Sequence, residues 1–318
     1  MSKTVTSVAS STGARSRLEA VRKGLKRTKY LQIMILPCLA YYIIFHYVPM
    51  YGVVIAFKDY SLRLGIMGSP WVGLKHFRSF FAYPFLWRLI RNTFILSLYS
   101  LIWGFPMPII FALLLNEVRN VRYKKAVQTI SYLPHFISTV SVVGMLVMIL
   151  SPQSGIVNNI LKAFGRESIY FFAESRWFRT VYVGSGIWQN IGWDAIIYIA
   201  ALSAIDQELF EAAVIDGANR FQQMLYITIP SIRPTIAILL IMRMGGLMSG
   251  GGEKALLMQQ PITYEVSDVI STYVYRRGLV EADFSFGAAV GLFNSAVNVF
   301  FIITANSIAR RLGETSLW

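Results

Sequence analysis

At 318 residues the chain has room for about two soluble domains, yet 55% of it is hydrophobic and only 14% charged, against about 25% charged in a typical soluble domain. With a mean hydropathy of +0.52, this composition excludes an ordinary soluble enzyme and points to an all-α polytopic membrane protein. The net charge of +14 does not indicate nucleic acid, because the basic residues sit at the ends of apolar runs and not on one patch.

Residues 1–29 are Ser/Thr-rich and then basic, and read as a cytoplasmic tail that becomes juxtamembrane from about Arg15. Residues 30–312 read as one transmembrane domain. A bilayer core takes about 20 apolar residues per helix, and the predicted spans are 31–57, 93–115, 126–150, 181–205, 235–257 and 284–308. The first is too long for a signal-peptide core and reads as retained. It holds Cys38, the only cysteine, which excludes an intrachain disulfide and reads as a buried, inert thiol.

Between the first two spans, 59–91 mixes Trp71, Phe77, Phe80, Phe81 and Trp87 with basic residues, which predicts an interfacial helix. Segments 151–180 and 250–283 read as outer loops or short helices. The fifth run is the weakest span: it carries Arg243, Gly245, Gly246, Gly250, Gly251 and Gly252 and gains Glu253 and Lys254. It is kept because six spans place both termini on one side. Dense Lys and Arg at 15–29, 119–125 and 310–311 mark that side as cytoplasmic, whereas Lys58, Arg63, Lys75, Arg78, Arg88 and Arg91 are diluted over the longer outer segments.

Chemistry-bearing patterns are few. The segment SGGGEK at 249–254 fails as a phosphate loop, because Glu253 precedes Lys254 and neither Ser nor Thr follows it; a break in the fifth helix fits better. His46, His76 and His135 show no metal-ligand spacing, and His135 reads as a hydrogen-bonded histidine inside the third span. No nucleophile, base and acid form a compact set, so no catalytic residue and no bound cofactor or metal is expected.

In the fourth span Trp188, Gln189, Asn190, Trp193 and Asp194 cluster within two turns. Polar groups are costly in lipid, so they face other helices or a wet cavity. Interhelical hydrogen bonding is one reading. A pathway offering aromatic faces and amides to a polyhydroxylated solute is the other, joined by Arg243 and by Asn294 and Asn298 on one face of the last span.

Segment 211–234, EAAVIDGANRFQQMLYITIPSIRP, reads as a short helix, a glycine turn and a second helix within a cytoplasmic loop, 206–234. Ala212 and Ala213 permit close approach, Glu211 offers a carboxylate, and Gly217 suits a helix end that needs positive φ. The order Glu211, Ala212, Ala213, Asp216, Gly217, Ile227, Pro230 resembles the EAA loop of ABC importer permeases, with Ile229 where the family usually has Leu. WVGLKHF at 71–77, RNTF at 91–94, YLPHFIS at 132–138 and EKALLMQQPITYEVSDVISTYVYRRGL at 253–279 extend the resemblance to the carbohydrate-type branch that handles oligosaccharides and polysaccharide fragments.

That resemblance implies a type I importer permease fold in the bacterial cell membrane. It also implies a second permease subunit, in a heterodimer, two cytoplasmic ATPases that hold ATP and Mg, and an extracytoplasmic solute-binding protein. The EAA residues then dock the ATPase. Two other readings remain at this point: an ATPase-independent channel or proton-coupled carrier, and a membrane-embedded enzyme.

Overall fold

The computed structural model describes residues 28–248, 251–311, 313 and 316–317. All but the last two residues of the expected tail, together with Ser249 and Gly250, lie outside the described residues. Within them the chain is helical, with one isolated β-bridge between Lys58 and Trp71.

Four helices are long and apolar enough to cross a membrane: α1 (Lys29–Phe57), α2 (Leu86–Glu117), α7 (Arg220–Met244) and α9 (Phe284–Arg311). The third apolar run is not the single helix expected over 126–150. Val121–Phe136, α3, and Thr139–Ile149, α4, meet at 103°. Pro134 supplies no backbone donor and its ring crowds the preceding turn, so Leu133–Phe136 tightens to a 3-10 turn. Ser138 then starts α4 by accepting from the Ser141 amide at 3.3 Å. His135 therefore lies at a break and not within a helix.

Ser175–Ser203, α5, is 29 residues long but is not among the apolar helices, because Gln189, Asn190 and Asp194 lower its hydropathy. It is nevertheless the hub of the fold, packing on α2, α3 and α7. Phe178, Tyr182 and Val183 join a core with Leu96, Val143 and Ala255, while Ala195, Tyr198 and Leu202 join a separate one with Ala112 and Ile232. The polar stretch 186–194 lies between these two apolar anchors. Gly192 is required there, since a Cβ at that position would run into the Ser131 backbone carbonyl of α3.

The fifth run is broken, as SGGGEK suggested, but its limits differ from those expected. The helix starts earlier, at the Asn219–Gln222 capping box, and stops at Met244, so 235–257 is not one span. A π-helical turn at Met224–Thr228 precedes Pro230 and opens the backbone where that proline lacks a donor. Glycines 245 and 246 favour the end of the helix, and Gly251, at φ +73°, opens a separate short helix, α8 (Gly252–Met258).

Outside the spans, the helix Lys75–Phe81 lies within the segment read as an interfacial helix, and it packs partly on the protein. Its Phe80 is fully buried against Phe286 and Phe293, because its apolar face finds protein partners, whereas Trp71 and Trp87 remain exposed. The RNTF motif clamps the outer segment after α8. Buried Asn92 donates to the carbonyls of Glu265 and Asp268 at 2.8 and 3.1 Å, and Thr93 Oγ1 accepts from the Ile270 amide. Asp268 is buried and receives Arg276 on both carboxylate oxygens at 2.8 Å; removing one partner of such a pair costs about 3 kcal/mol or more.

Cys38 is not the buried thiol expected. It is exposed, as is most of α1, which buries no residue before Ala56.

Candidate functional site: a coupling helix and a cavity

Residues 206–217 form a capped, exposed unit. Asp206 caps α6 (Gln207–Ile215) by accepting from the Glu208 amide at 3.0 Å. The helix closes in a Schellman arrangement: Gly217 N–H donates to Val214 O at 3.1 Å and Ala218 N–H to Ala213 O at 2.8 Å. Gly217 at φ +78° makes this possible. Glu211, Ala212, Asp216 and Gly217 are exposed and Ala213 half-buried. Around them Leu209, Val214, Ile215, Phe221 and Tyr226 are exposed at 50–86%, an apolar patch of the kind that marks a protein interface.

The patch is joined mechanically to the bundle. Arg220 pairs with Glu117 of α2 at 3.2 Å, and Gln223 donates to Ala218 O at 3.0 Å. Ile227 lies in the π turn, and Pro230, half-buried, follows it without interrupting the helix.

A cavity of about 930 Å³ opens among α2, the α3–α4 break, α5, the end of α7 and the start of α8. Of the residues singled out from sequence, it brings together Gln189, Asn190, Asp194 and Arg243. Asp194 and Arg243 approach at 3.9 Å with both side chains partly exposed, a loose pair that leaves hydrogen-bonding capacity to the cavity. Gln189 donates to Ile137 O at 2.9 Å, and Asn190 to Gly186 O at 3.0 Å. The His135 ring, through Nδ1, lies 3.0 Å from Asn190 Oδ1 and stacks on Trp193 with centroids 4.5 Å apart.

Trp188, Trp193, Asn294 and Asn298 are not on this wall. Trp188 is half-exposed elsewhere, and Trp193 acts behind His135. Asn298 Oδ1 accepts from the Met248 amide at 2.9 Å, which ties down the turn after α7.

Sequence reading passed over Tyr182, His135 and Lys254, which do line the cavity. A signal was present: Tyr182, Gly186, Asn190 and Asp194 recur every fourth residue and so make one helical stripe.

Residues 104–314 match the family model for the binding-protein-dependent transport system inner membrane component. The chain is 44% identical to Protein LplB of Bacillus subtilis (strain 168) over 295 residues, 93% of each chain. It is 45% identical to the polygalacturonan/rhamnogalacturonan transport system permease protein YteP of the same organism over 294 residues, 92% of each.

Among solved structures it is similar to a bacterial ABC transporter involved in the import of the acidic polysaccharide alginate. The match has a TM-score of 0.85 at 45% identity and covers 92% of this chain and 99% of that one. It is equally similar, with a TM-score of 0.85 at 45% identity over 93% of this chain and 99% of that one, to a bacterial alginate ABC transporter in complex with an alginate pentasaccharide-bound periplasmic protein. On this evidence of sequence and fold together, the chain belongs to the family of inner membrane components of binding-protein-dependent transport systems.

Proposed function

We propose that the chain is one of two permease subunits of an ATP-driven importer that passes an acidic oligosaccharide from an extracytoplasmic binding protein through the cavity. In this reading α5 is a crossing helix despite its polarity, the α3–α4 pair is a broken span, and six spans put both termini in the cytoplasm. A second permease and lipid cover the exposed face of α1.

The observation that carries the reading is the continuity of α7. One helix runs from the turn at Asn219 to Arg243 in the cavity wall, a distance of roughly 35 Å at 1.5 Å per residue. The ATPase, which holds ATP and Mg, grips α6 through Glu211, Ala212, Ala213 and the apolar rim. Its closure moves the start of α7, and a rigid helix carries that displacement to Arg243 and Asp194, switching access to the cavity. Asp216 and Gly217 set the angle between α6 and α7, with Ile227 and Pro230 on the lever.

Acidity of the solute is supported by the polysaccharides named for YteP and the alginate transporter. A tagged chain purified in mild detergent is expected to bring down an ATPase and a second permease in stable stoichiometry. Recovery of the chain alone, active as a channel or carrier in liposomes without ATP, would overturn the reading.

A further inference from the structure

Several cations near the cavity and the outer segment have a carboxylate nearby: Arg276 has Asp268, Arg277 has Asp283, and Arg243 has Asp194. Lys254 does not. It is 9% exposed, and no described carboxylate lies within ion-pair distance of its ammonium, although Glu253 also borders the cavity.

Its one hydrogen bond goes to the Tyr182 carbonyl at 2.8 Å, and the Tyr182 ring lies 4.9 Å away. An ammonium has three donors, so two remain without an acceptor among the described residues. A buried cation with this little compensation is costly unless an anion completes it.

The surroundings hold Lys254 in place without filling that position. Tyr182 OH donates to Gly251 O at 3.1 Å and fixes the start of α8. On α5, Gly186 leaves room for the ammonium, since a Cβ there would lie 3.4 Å from Nζ. Both Lys254 and Gly186 border the cavity, on the stripe that continues to Asn190 and Asp194.

We propose that Lys254 determines charge specificity in the cavity by receiving a carboxylate of the transported solute on its two free donors. This rests on the transport reading above. The Asp194–Arg243 pair lies about 12 Å farther along α5 at 1.5 Å per residue, too far to share the same carboxylate. No bond is made or broken, and transit requires only that the contact be reversible.

The test uses the complete transporter in proteoliposomes, with Lys254→Met, Lys254→Arg and wild type assayed for uptake of trigalacturonate and its fully methyl-esterified counterpart. The binding protein's own preference is common to all three and cancels when acid-to-ester ratios are compared. Lys254→Met is expected to lower that ratio about tenfold or more, the effect of losing one charge-assisted contact, with Lys254→Arg close to wild type.

Equal loss of both solutes in Lys254→Met would make Lys254 structural and overturn the proposal, as would an unchanged ratio. If Lys254→Met fails to assemble, Lys254→Gln replaces it as the uncharged variant under the same criterion. Wild-type transporter that imports neither solute would instead bring down the acidic-oligosaccharide reading and this inference with it.

Discussion

Gly217→Val is expected to lower coupled uptake about tenfold or more while leaving the protein in the membrane at normal level. Gly217 sits at φ +78° with no neighbour within 4 Å of where a Cβ would stand, so the effect is one of backbone and not of crowding. A β-branched residue held in the left-handed region costs about 1–3 kcal/mol. The exposed turn can escape that cost by abandoning the two closing hydrogen bonds, from Gly217 and Ala218 to Val214 and Ala213.

Once they are lost, α6 no longer holds a fixed angle to α7, and ATPase closure is not converted into displacement of the lever. Uptake in cells should fall about tenfold or more, as expected when a docking geometry is misplaced, while ATPase activity of the purified complex loses its stimulation by loaded binding protein. Gly217→Asn, which tolerates this conformation better, should fall between Val and wild type. Uptake by Gly217→Val within twofold of wild type, at equal protein level, would sink the lever.

The second large effect belongs to Gly192. Even alanine there should prevent stable assembly, because its Cβ meets the Ser131 carbonyl of the α3 backbone and not a side chain that can turn aside. Relief requires α3 to move off α5, which also separates His135 from Asn190 and Trp193. Overpacking of this kind costs about 3 kcal/mol or more when backbone must shift.

Gly184→Ala is the matched control. It lies on the same helix with nothing within 4 Å of an added Cβ, and should be neutral or slightly stabilising, by about 0.5 kcal/mol. Thermal unfolding of the detergent-solubilised complex separates the two variants. Equal melting temperatures would show that the α3–α5 contact does not limit stability.

These two glycines show why some of the molecule was legible in sequence and some was not. Gly217 announces itself, because a glycine after a short amphipathic segment and before an Asn-x-x-Gln cap has a local reason to be there. Gly192 does not, since the reason lies 61 positions away in Ser131 and appears only when α3 packs on α5. The apolar runs were visible through length and hydropathy, and Pro134 held the clue to the α3–α4 break that a count of apolar residues passes over.

Burial was harder to read. A run of apolar residues looks the same whether lipid, another subunit or the protein's own core covers it, so Phe80 was read into an interfacial helix although it is buried, and Cys38 was read as buried although this chain leaves it exposed. The cavity was half legible. Gln189, Asn190, Asp194 and Arg243 stood out as polar groups in apolar sequence, but Trp188 and Trp193, read as stacking faces for a sugar, lie off the cavity wall. Lys254 was read only as part of a failed phosphate loop, because the turn that carries it back to Tyr182 and Gly186 cannot be inferred from spacing.

Accumulation of a labelled acidic oligosaccharide inside proteoliposomes is the most direct measurement of the account as a whole. The liposomes contain this chain, its partner permease and the ATPase, with ATP enclosed and binding protein outside. Uptake against a gradient that requires both ATP and the binding protein is the predicted result. Equal uptake with ATP omitted, or with the binding protein omitted, would contradict it.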